Sequence, residues 1–563
     1  MPYRSPVAEL QFILDKVVPL APVAATAKFA EATGDTVEAI LTEAGRLCDE
    51  VMAPLHRNGD LHPARLENGV VRSSPGFRDA YRQIAEGGWV SVAGPAEHGG
   101  MGLPLTVAIA VNDMMAGANL ALQLNPLLTQ GQIDALEHHA SEEIKALYIP
   151  KLASGEWSGT MNLTEPQAGS DVGALRSKAE PNGDGTYAVT GQKIFISWGD
   201  GDVTSNVCHL VLARLPDGVP GTKGISLFLV PKYIPDENGN PGVANSLKVV
   251  SLEHKMGLHG SPTCVMSFEG ATGWLIDGPN KGMAAMFTMM NNARLNVGVQ
   301  GIGVAEAAYQ KASDYARERV QFAPIIQHAD VRRMLAEMKA EIFAARSIAL
   351  ACAVAIDMAQ ATGDDAQKAR AALLTPIAKA YGTETGMKVS DTGIQIHGGM
   401  GFIEETGAAQ FYRDVRVTAI YEGTNGIQAM DLVGRKMMDG GAAAFRLLQE
   451  VEDEAAAART TLPDLAGAVW DAAESLREHT EWLVAQGHQD RFAGAVPYLN
   501  AFALVLGGHF HLRAALAGGA GSARAKLAAI YIRRLLPRAA ACLTEAKEGA
   551  AGLYALSEED LLS

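Results

Sequence analysis

Positive charge is in short supply: 47 Lys and Arg stand against 63 Asp and Glu, a formal net charge of −16. Non-specific nucleic-acid binding needs a cationic face, so the balance argues against a nucleic-acid partner and leaves room only for a local basic pocket. Cysteine is sparse too. Cys48, Cys208, Cys264, Cys352 and Cys542 lie far apart, in no C-x-x-C or metal-ligand spacing, which reads as reduced, buried thiols and no bound metal. Long apolar runs are missing as well. The least polar stretch, Phe492–His509, carries Pro497, Asn500 and Gly507–Gly508 and falls short of a membrane span. Glu9 and Asp15 interrupt any apolar leader, so the expectation is a cytoplasmic protein.

What is present is core-forming material. The chain has 563 residues, 48% hydrophobic and only 20% charged, too long for one ordinary core and well suited to several. Residues 1–156 read as an N-terminal helical domain, with the Gly- and Pro-dense loop Gly94–Pro104 inside it. From Trp157 short β-rich runs alternate with turn signals: SGTMNLTE, YAVTGQKIFIS, VCHLVLARL, GISLFLVPKY, LKVVSLE and TCVMSFEGATGWLI. They predict a central β domain over 157–280, a barrel or two stacked sheets. Residues 281–440 return to helical periodicity in three long segments, and with Ile427–Met438 they predict an antiparallel four-helix bundle, kinked at Pro376. After Asp439-Gly440-Gly441, residues 441–563 form an Ala-rich additional helical domain without a catalytic constellation.

Several local patterns carry chemistry. In Phe411–Met430, Glu422 follows Tyr421 and precedes Gly-Thr-Asn-Gly. A partly desolvated glutamate there makes a better base, Gly423 permits close backbone approach, and Thr424 or Asn425 caps the next helix. The bland alternative is a surface glutamate at a helix start. The loop TEPQAGSD (Thr164–Asp171) can present N–H groups to a flat polar ring or a phosphate, or be an ordinary Asx/ST turn. In GQKIFIS, Phe195 and Ser197 share a strand face, suited to lie against a cofactor ring, unless Phe195 is core. Arg319 and Phe322 in RERVQF sit one helical turn apart and suit a diphosphate, or are a solvated helix end. Gln395-Ile-His-Gly-Gly399 closes a helix. Arg294 and Arg346 are isolated arginines in apolar surroundings, for which paired core arginines are the simple reading.

Taken in order, TEPQAGSD, GQKIFIS, KMGLHGSPT, RERVQF, QIHGGMGF and YEGTNGIQ resemble the acyl-CoA dehydrogenase flavoproteins. The resemblance runs from GPAEHGGMG to about Lys436. Length and the extra C-terminal helices are similar to the subgroup that includes 3-methylmercaptopropionyl-CoA dehydrogenases. It implies that family's fold: an N-terminal helical domain, a barrel-like β domain and a C-terminal four-helix bundle.

The resemblance also implies roles. Glu422 would be the base that removes a proton alpha to a thioester while hydride leaves the beta carbon for FAD, with Arg294 supporting it. Some members carry the base on the helix at Met290–Arg294, where this chain has Asn291, Asn292 and Ala293. FAD contacts map to Leu163, Thr164, Gly169, Ser170, Phe195, Ser197 and Thr424. Arg319, Phe322, Gln395 and Gly399 map to positions that reach a neighbouring subunit's FAD, which implies an oligomer, a homodimer being expected. Ser170, Tyr421, Gly423 and Arg294 map to the acyl-CoA side. Phe195 stands where many relatives have Trp, His259 where Arg is usual, and Gly426 where Gln is common. The implied activity is dehydrogenation of a short- or medium-chain acyl-CoA, with an electron-transfer flavoprotein as acceptor. An acyl-CoA oxidase and a nucleic-acid-binding flavoprotein of the same superfamily are the alternatives.

Overall fold

The structure, a computed structural model, describes residues 3–563. Its helical start includes α1 (Gly34–Leu47), α2 (Phe77–Glu86), α3 (Leu105–His139) and α4 (Glu142–Ala153). Thr33 and Ser141 cap α1 and α4 through their hydroxyls. Two strands lie inside this helical region, β1 (Arg65–Glu67) and β2 (Val70–Arg72), joined by Asn68-Gly69 with φ of 52° and 78°. Helical periodicity does not reveal this hairpin, although Asn-Gly is its usual turn signal.

The β region contains β3 (Trp157–Asn162), β4 (Lys178–Pro181), β5 (Tyr187–Ser197), β6 (Asn206–Ala213), β7 (Ser226–Pro231), β8 (Tyr233–Pro235), β9 (Pro241–Ala244), β10 (Leu247–Leu252) and β11 (Thr263–Ile276). Strand order is β3-β6-β7-β11-β5-β4, with β10 on β11 and a separate β8-β9 hairpin. Long β11 pairs with β5 and β10 along its first part and with β7 at Trp274–Ile276, so it joins two sheet halves around one apolar core.

Three long helices follow: α5 (Gly282–Glu318), α6 (Ala329–Thr362) and α7 (Asp365–His397). Helix α7 keeps helical dihedrals through Pro376. The break falls instead in α3 at Asn119 (φ −163°, ψ 90°), whose side chain accepts from Leu122 N–H and restarts the helix. Between α5 and α7 the backbones meet: a Cβ at Gly298, Gly301 or Gly382 would strike the facing helix backbone. Next come α8 (Ala408–Val415) and α9 (Asn425–Val433). Of the expected Ile427–Met438 helix, α9 keeps only Ile427–Val433, because Gly434 (φ −89°, ψ −91°) leaves the helical region. The tail adds α10 (Ala442–Ala458), α11 (Pro463–Ala485), α12 (Ala495–Gly518), α13 (Ala523–Ile530) and α14 (Arg538–Lys547).

One continuous core runs through the N-terminal helices, the bundle and this tail. The reading that no stretch reaches membrane-span character needs correction. Helices α3, α6 and α12 are long and apolar enough, yet 94%, 83% and 78% of their most apolar windows are buried inside the protein. Their apolar surface belongs to the core.

Asp60 ties three regions together. It accepts from Arg413 at 2.6 and 2.8 Å and from Arg57 at 2.7 Å, and it pairs with His259 Nδ1 at 2.9 Å. Burial opposes its charge, but Arg413, His259 and Arg57 hold its pKa below the usual carboxylate value. Next to it, Asp414 accepts the Leu258 N–H at 2.6 Å. His259, in place of the usual arginine, therefore closes a clamp on the helix leading to Glu422. Asp60→Ala leaves Arg413 without its main partner. We expect a loss of about 3–5 kcal/mol in urea unfolding, with bound flavin retained in the surviving folded fraction.

Candidate functional site

Glu422 lies between helices, where Ile420 and Tyr421 end a helical turn by donating to Val417. Thr424 caps α9 by accepting from Ile427 N–H at 3.2 Å. The two constraints leave a short connection, and Glu422 adopts φ +57°, a region non-glycine residues rarely occupy. Gly423 follows at φ +81°, where its permissive backbone continues the turn.

The connection is pinned from α7. Lys379 is fully buried, and its ammonium donates to Gly423 O at 2.9 Å and to Asn425 Oδ1 at 3.0 Å. Gln428 adds bonds to Glu422 O and Gly423 O at 3.2 and 3.3 Å. Tyr421 donates its hydroxyl to Gln300 on α5. Lys379 was not singled out from the sequence; the available signal was a lone cation in the apolar run LLTPIAKAYG.

The Glu422 carboxylate makes no hydrogen bond or ion pair among the described residues, and burial pushes its pKa up to about 7. Arg294 and Lys379 oppose that rise electrostatically. Arg294 is itself buried, 3.9 Å from Asp431, with Nε lacking a partner. Burial lowers the Lys379 pKa to about 8, against the pull of Glu422. A carboxyl group that is desolvated, unbonded and near neutrality is suited to accept a proton. Arg346, by contrast, is an ordinary core arginine, bonded to Asp113 at 2.6 and 3.2 Å and to Glu306 at 3.1 Å.

A second cluster unites the Leu163–Ser170 loop with β5. Ile194 N–H donates to Thr164 O, and the buried Lys193 ammonium reaches Leu163 O at 3.1 Å and Glu165 at 2.8 Å. Burial opposes the Glu165 charge, but Lys193, Ser177 and the Arg176 N–H hold its pKa down at about 2. The pair Glu165–Lys193, absent from the sequence reading, shapes the loop. Gly169 and Ser170 are exposed, and a Cβ on Gly169 would meet nothing. The β5–β11 register slips between Cys264 and Met266, opposite Phe195. This bulge gives Phe195 φ +60° and leaves it 60% exposed, beside partly buried Ser197. Phe195 is an open aromatic platform, not core.

The third set, Arg319, Phe322, Gln395 and Gly399, is exposed. Arg319 and Phe322 are not one helical turn apart. Helix α5 ends at Glu318, and Pro324 favours an extended residue before it. A small hairpin therefore forms, β12 (Val320–Gln321) and β13 (Ala323–Pro324), with Phe322 fully exposed at its tip. Stacked Tyr315 and His397, centroids 4.4 Å apart, bring this hairpin beside the end of α7. Sixteen residues of α7 separate Lys379 from Gln395, about 24 Å of helix. The set is remote from Glu422 on its own chain.

Helical domain, β domain and helical bundle, with an open aromatic platform and a half-buried free carboxylate, are the arrangement of a flavin-dependent oxidoreductase. The chain belongs to the acyl-CoA dehydrogenase family. Family models match at 34–156 (acyl-CoA dehydrogenase, N-terminal domain), 160–271 (middle domain), 280–438 (C-terminal domain) and 447–557 (acetyl-CoA dehydrogenase C-terminal like). It is 45% identical over 519 residues to 3-methylmercaptopropionyl-CoA dehydrogenase of Ruegeria pomeroyi, covering 89% of this chain and 88% of that one. A broad-specificity linear acyl-CoA dehydrogenase of Mycobacterium tuberculosis, FadE5, is 35% identical over 478 residues, 80% of this chain and 78% of its own. The FAD-complexed acyl-CoA dehydrogenase of Bacillus anthracis shares the fold, with TM-score 0.73, 21% identity, and coverage of 100% of this chain and 94% of that one. The cofactor of this family is FAD, and the residues present fit it: a flat, exposed Phe195, adjacent hydroxyls and an open Gly169–Ser170 backbone.

Lys379 carries a charge that favours ionised Glu422. We expect the ascending limb of flavin reduction against pH to move upward in Lys379→Met and kcat to fall; Lys379→Arg reverses part of that shift. Stopped-flow flavin reduction across pH 5.5–9 checks this (pH range roughly bracketing the carboxylate's shifted pKa), with flavin content as the control for folding.

Proposed function

We propose that this chain dehydrogenates a short- or medium-chain acyl-CoA thioester to the trans-2-enoyl-CoA, with Glu422 as the base. The observation that carries the reading is the carboxylate of Glu422: half-buried, free of hydrogen bonds among the described residues, and with its pKa pushed up to about 7 by desolvation. The 45% identity to a 3-methylmercaptopropionyl-CoA dehydrogenase makes that thioether substrate the first to test.

The steps follow from the residues. Acyl-CoA binding excludes water from Glu422, and the carboxylate takes the proton on the carbon alpha to the thioester. The Glu422 N–H has no acceptor among the described residues, so it is free to donate to the thioester oxygen as charge develops there. Arg294 and Lys379 keep a useful fraction of Glu422 ionised. FAD, when bound against Phe195 and the Leu163–Ser170 loop, supplies the acceptor for hydride leaving the beta carbon. The remote and exposed Arg319, Phe322, Gln395 and Gly399 set would hold a partner subunit's FAD, and the working unit we propose is accordingly a homodimer. Electron-transfer flavoprotein is the proposed acceptor and the cytoplasm the proposed location.

Anaerobic mixing with an acyl-CoA panel tests the reading. Flavin absorbance bleaches with 3-methylmercaptopropionyl-CoA or a short straight chain. Glu422→Gln binds FAD normally but slows bleaching by at least about 10²–10⁴-fold. Bound FAD that no acyl-CoA bleaches would overturn the function while leaving the fold intact. Peroxide formed in step with turnover in air, without need of a protein acceptor, would identify an oxidase.

A further inference from the structure

A cavity of about 1160 Å³ lies away from Glu422, between the tail helix α13 and the region where α5 runs past the start of α6. Its lining reverses the charge of the chain. Six cationic side chains, Arg332, Arg333, Lys339, Arg524, Lys526 and Arg534, face two acidic ones, Glu9 and Asp330. Both acids are already committed: Glu9 to Arg524, and Asp330 to Arg333 at 2.8 Å. Arg534 faces Glu337 at 3.8 Å. Arg332, Lys339 and Lys526 are exposed and make no ion pair among the described residues, Lys339 acting on Glu9 only at longer range.

Two further features add positive potential. The first turns of α6 (Ala329, Asp330) and α13 (Ala523, Arg524) both line the cavity. The α6 N-terminus has no side-chain cap, so its first N–H groups stay available to an anion. The remaining wall is apolar and aromatic, from Ile326, Leu335, Leu527, Ile530 and Tyr309. In a chain of net charge −16, converging cations without carboxylate partners repel one another unless an anion joins them.

We propose that this cavity binds a nucleotide-type polyphosphate, at least two phosphates on an aromatic body. Arg332, Lys339, Lys526 and the α6 N-terminus hold the phosphates, and the body lies on the Tyr309–Ile326–Leu527 wall. The site is independent of the acyl-CoA reading, for none of its residues belongs to the Glu422, Phe195 or Arg319 sets. Its walls come from both the bundle and the tail, so occupancy links the additional domain to the catalytic one. Free nucleotides and the adenosine 3′,5′-bisphosphate end of a CoA share the required chemistry.

The test uses the FAD-loaded, full-length protein, so that flavin sites are already filled. Calorimetry with ADP, adenosine 3′,5′-bisphosphate, pyrophosphate and adenosine is run on the wild type and on an Arg332→Ala/Lys339→Ala/Lys526→Ala variant. We expect saturable ADP binding, weakened by salt, at least about tenfold weaker in the variant. Pyrophosphate binds more weakly than ADP, adenosine does not bind, and neither the flavin spectrum nor acyl-CoA bleaching changes. The better of ADP and adenosine 3′,5′-bisphosphate names the source. No saturable binding at millimolar ADP, or equal binding by the variant, overturns the proposal. Binding of duplex DNA without ADP binding overturns it in favour of a nucleic-acid surface. The substituted side chains are exposed and unpaired, and an unchanged melting temperature of the ligand-free variant verifies its fold.

Discussion

The buried ammonium of Lys379 is the constraint on which the site depends. It reaches across from α7 to Gly423 O and Asn425 Oδ1, holding a turn in which a glutamate occupies left-handed backbone. That geometry is costly for a residue with a Cβ, roughly 1–3 kcal/mol, and persists only where surrounding bonds over-determine it. Here they do: Gln428 takes the carbonyls, Thr424 caps the next helix and Tyr421 is tied to Gln300. The ammonium reaches the turn because Gly298, Gly301 and Gly382 let α5 and α7 meet backbone to backbone.

The electrostatics follow from the same arrangement. Burial raises the Glu422 pKa, and two cations prevent the rise from going further. With burial alone the carboxyl would be protonated at neutral pH; with a direct ion pair it would be too weak a base. Lys379 and Arg294 bond elsewhere, to the turn and towards Asp431, so they act on Glu422 through space without taking its lone pairs. The flavin side is shaped by another buried ammonium. Lys193 bonds to Leu163 O and Glu165, fixing the loop beside Phe195.

The helix–β–helix order and the long helices were legible because periodicity over thirty-residue segments is a strong signal. Strands β5 and β11 also span the β-rich runs YAVTGQKIFIS and TCVMSFEGATGWLI from end to end. Glu422, Phe195 and Thr424 were legible as motif residues. Single-residue geometry was not. The Phe195 bulge arises from a register slip against β11, and the Arg319–Phe322 hairpin from the end of α5 before Pro324; neither is a periodic feature. Lys379 and the Glu165–Lys193 pair were missed because isolated ions in apolar runs gain meaning only when tertiary structure supplies a partner. The apolar character of α3, α6 and α12 was understated, since a few polar residues obscured long windows that the fold buries.

The tail domain shares one core with the bundle, so it is part of the catalytic body and not an appendage. Its helices α10 and α12 pack on α7, the helix that carries Lys379. The central claim is that this framework keeps Glu422 half-ionised near neutrality. Difference infrared titration of the Glu422 carboxyl, wild type minus Glu422→Gln in the flavin-loaded protein, measures that directly. The account predicts a midpoint close to 7. A midpoint at the ordinary glutamate value, about 4.3, would contradict it.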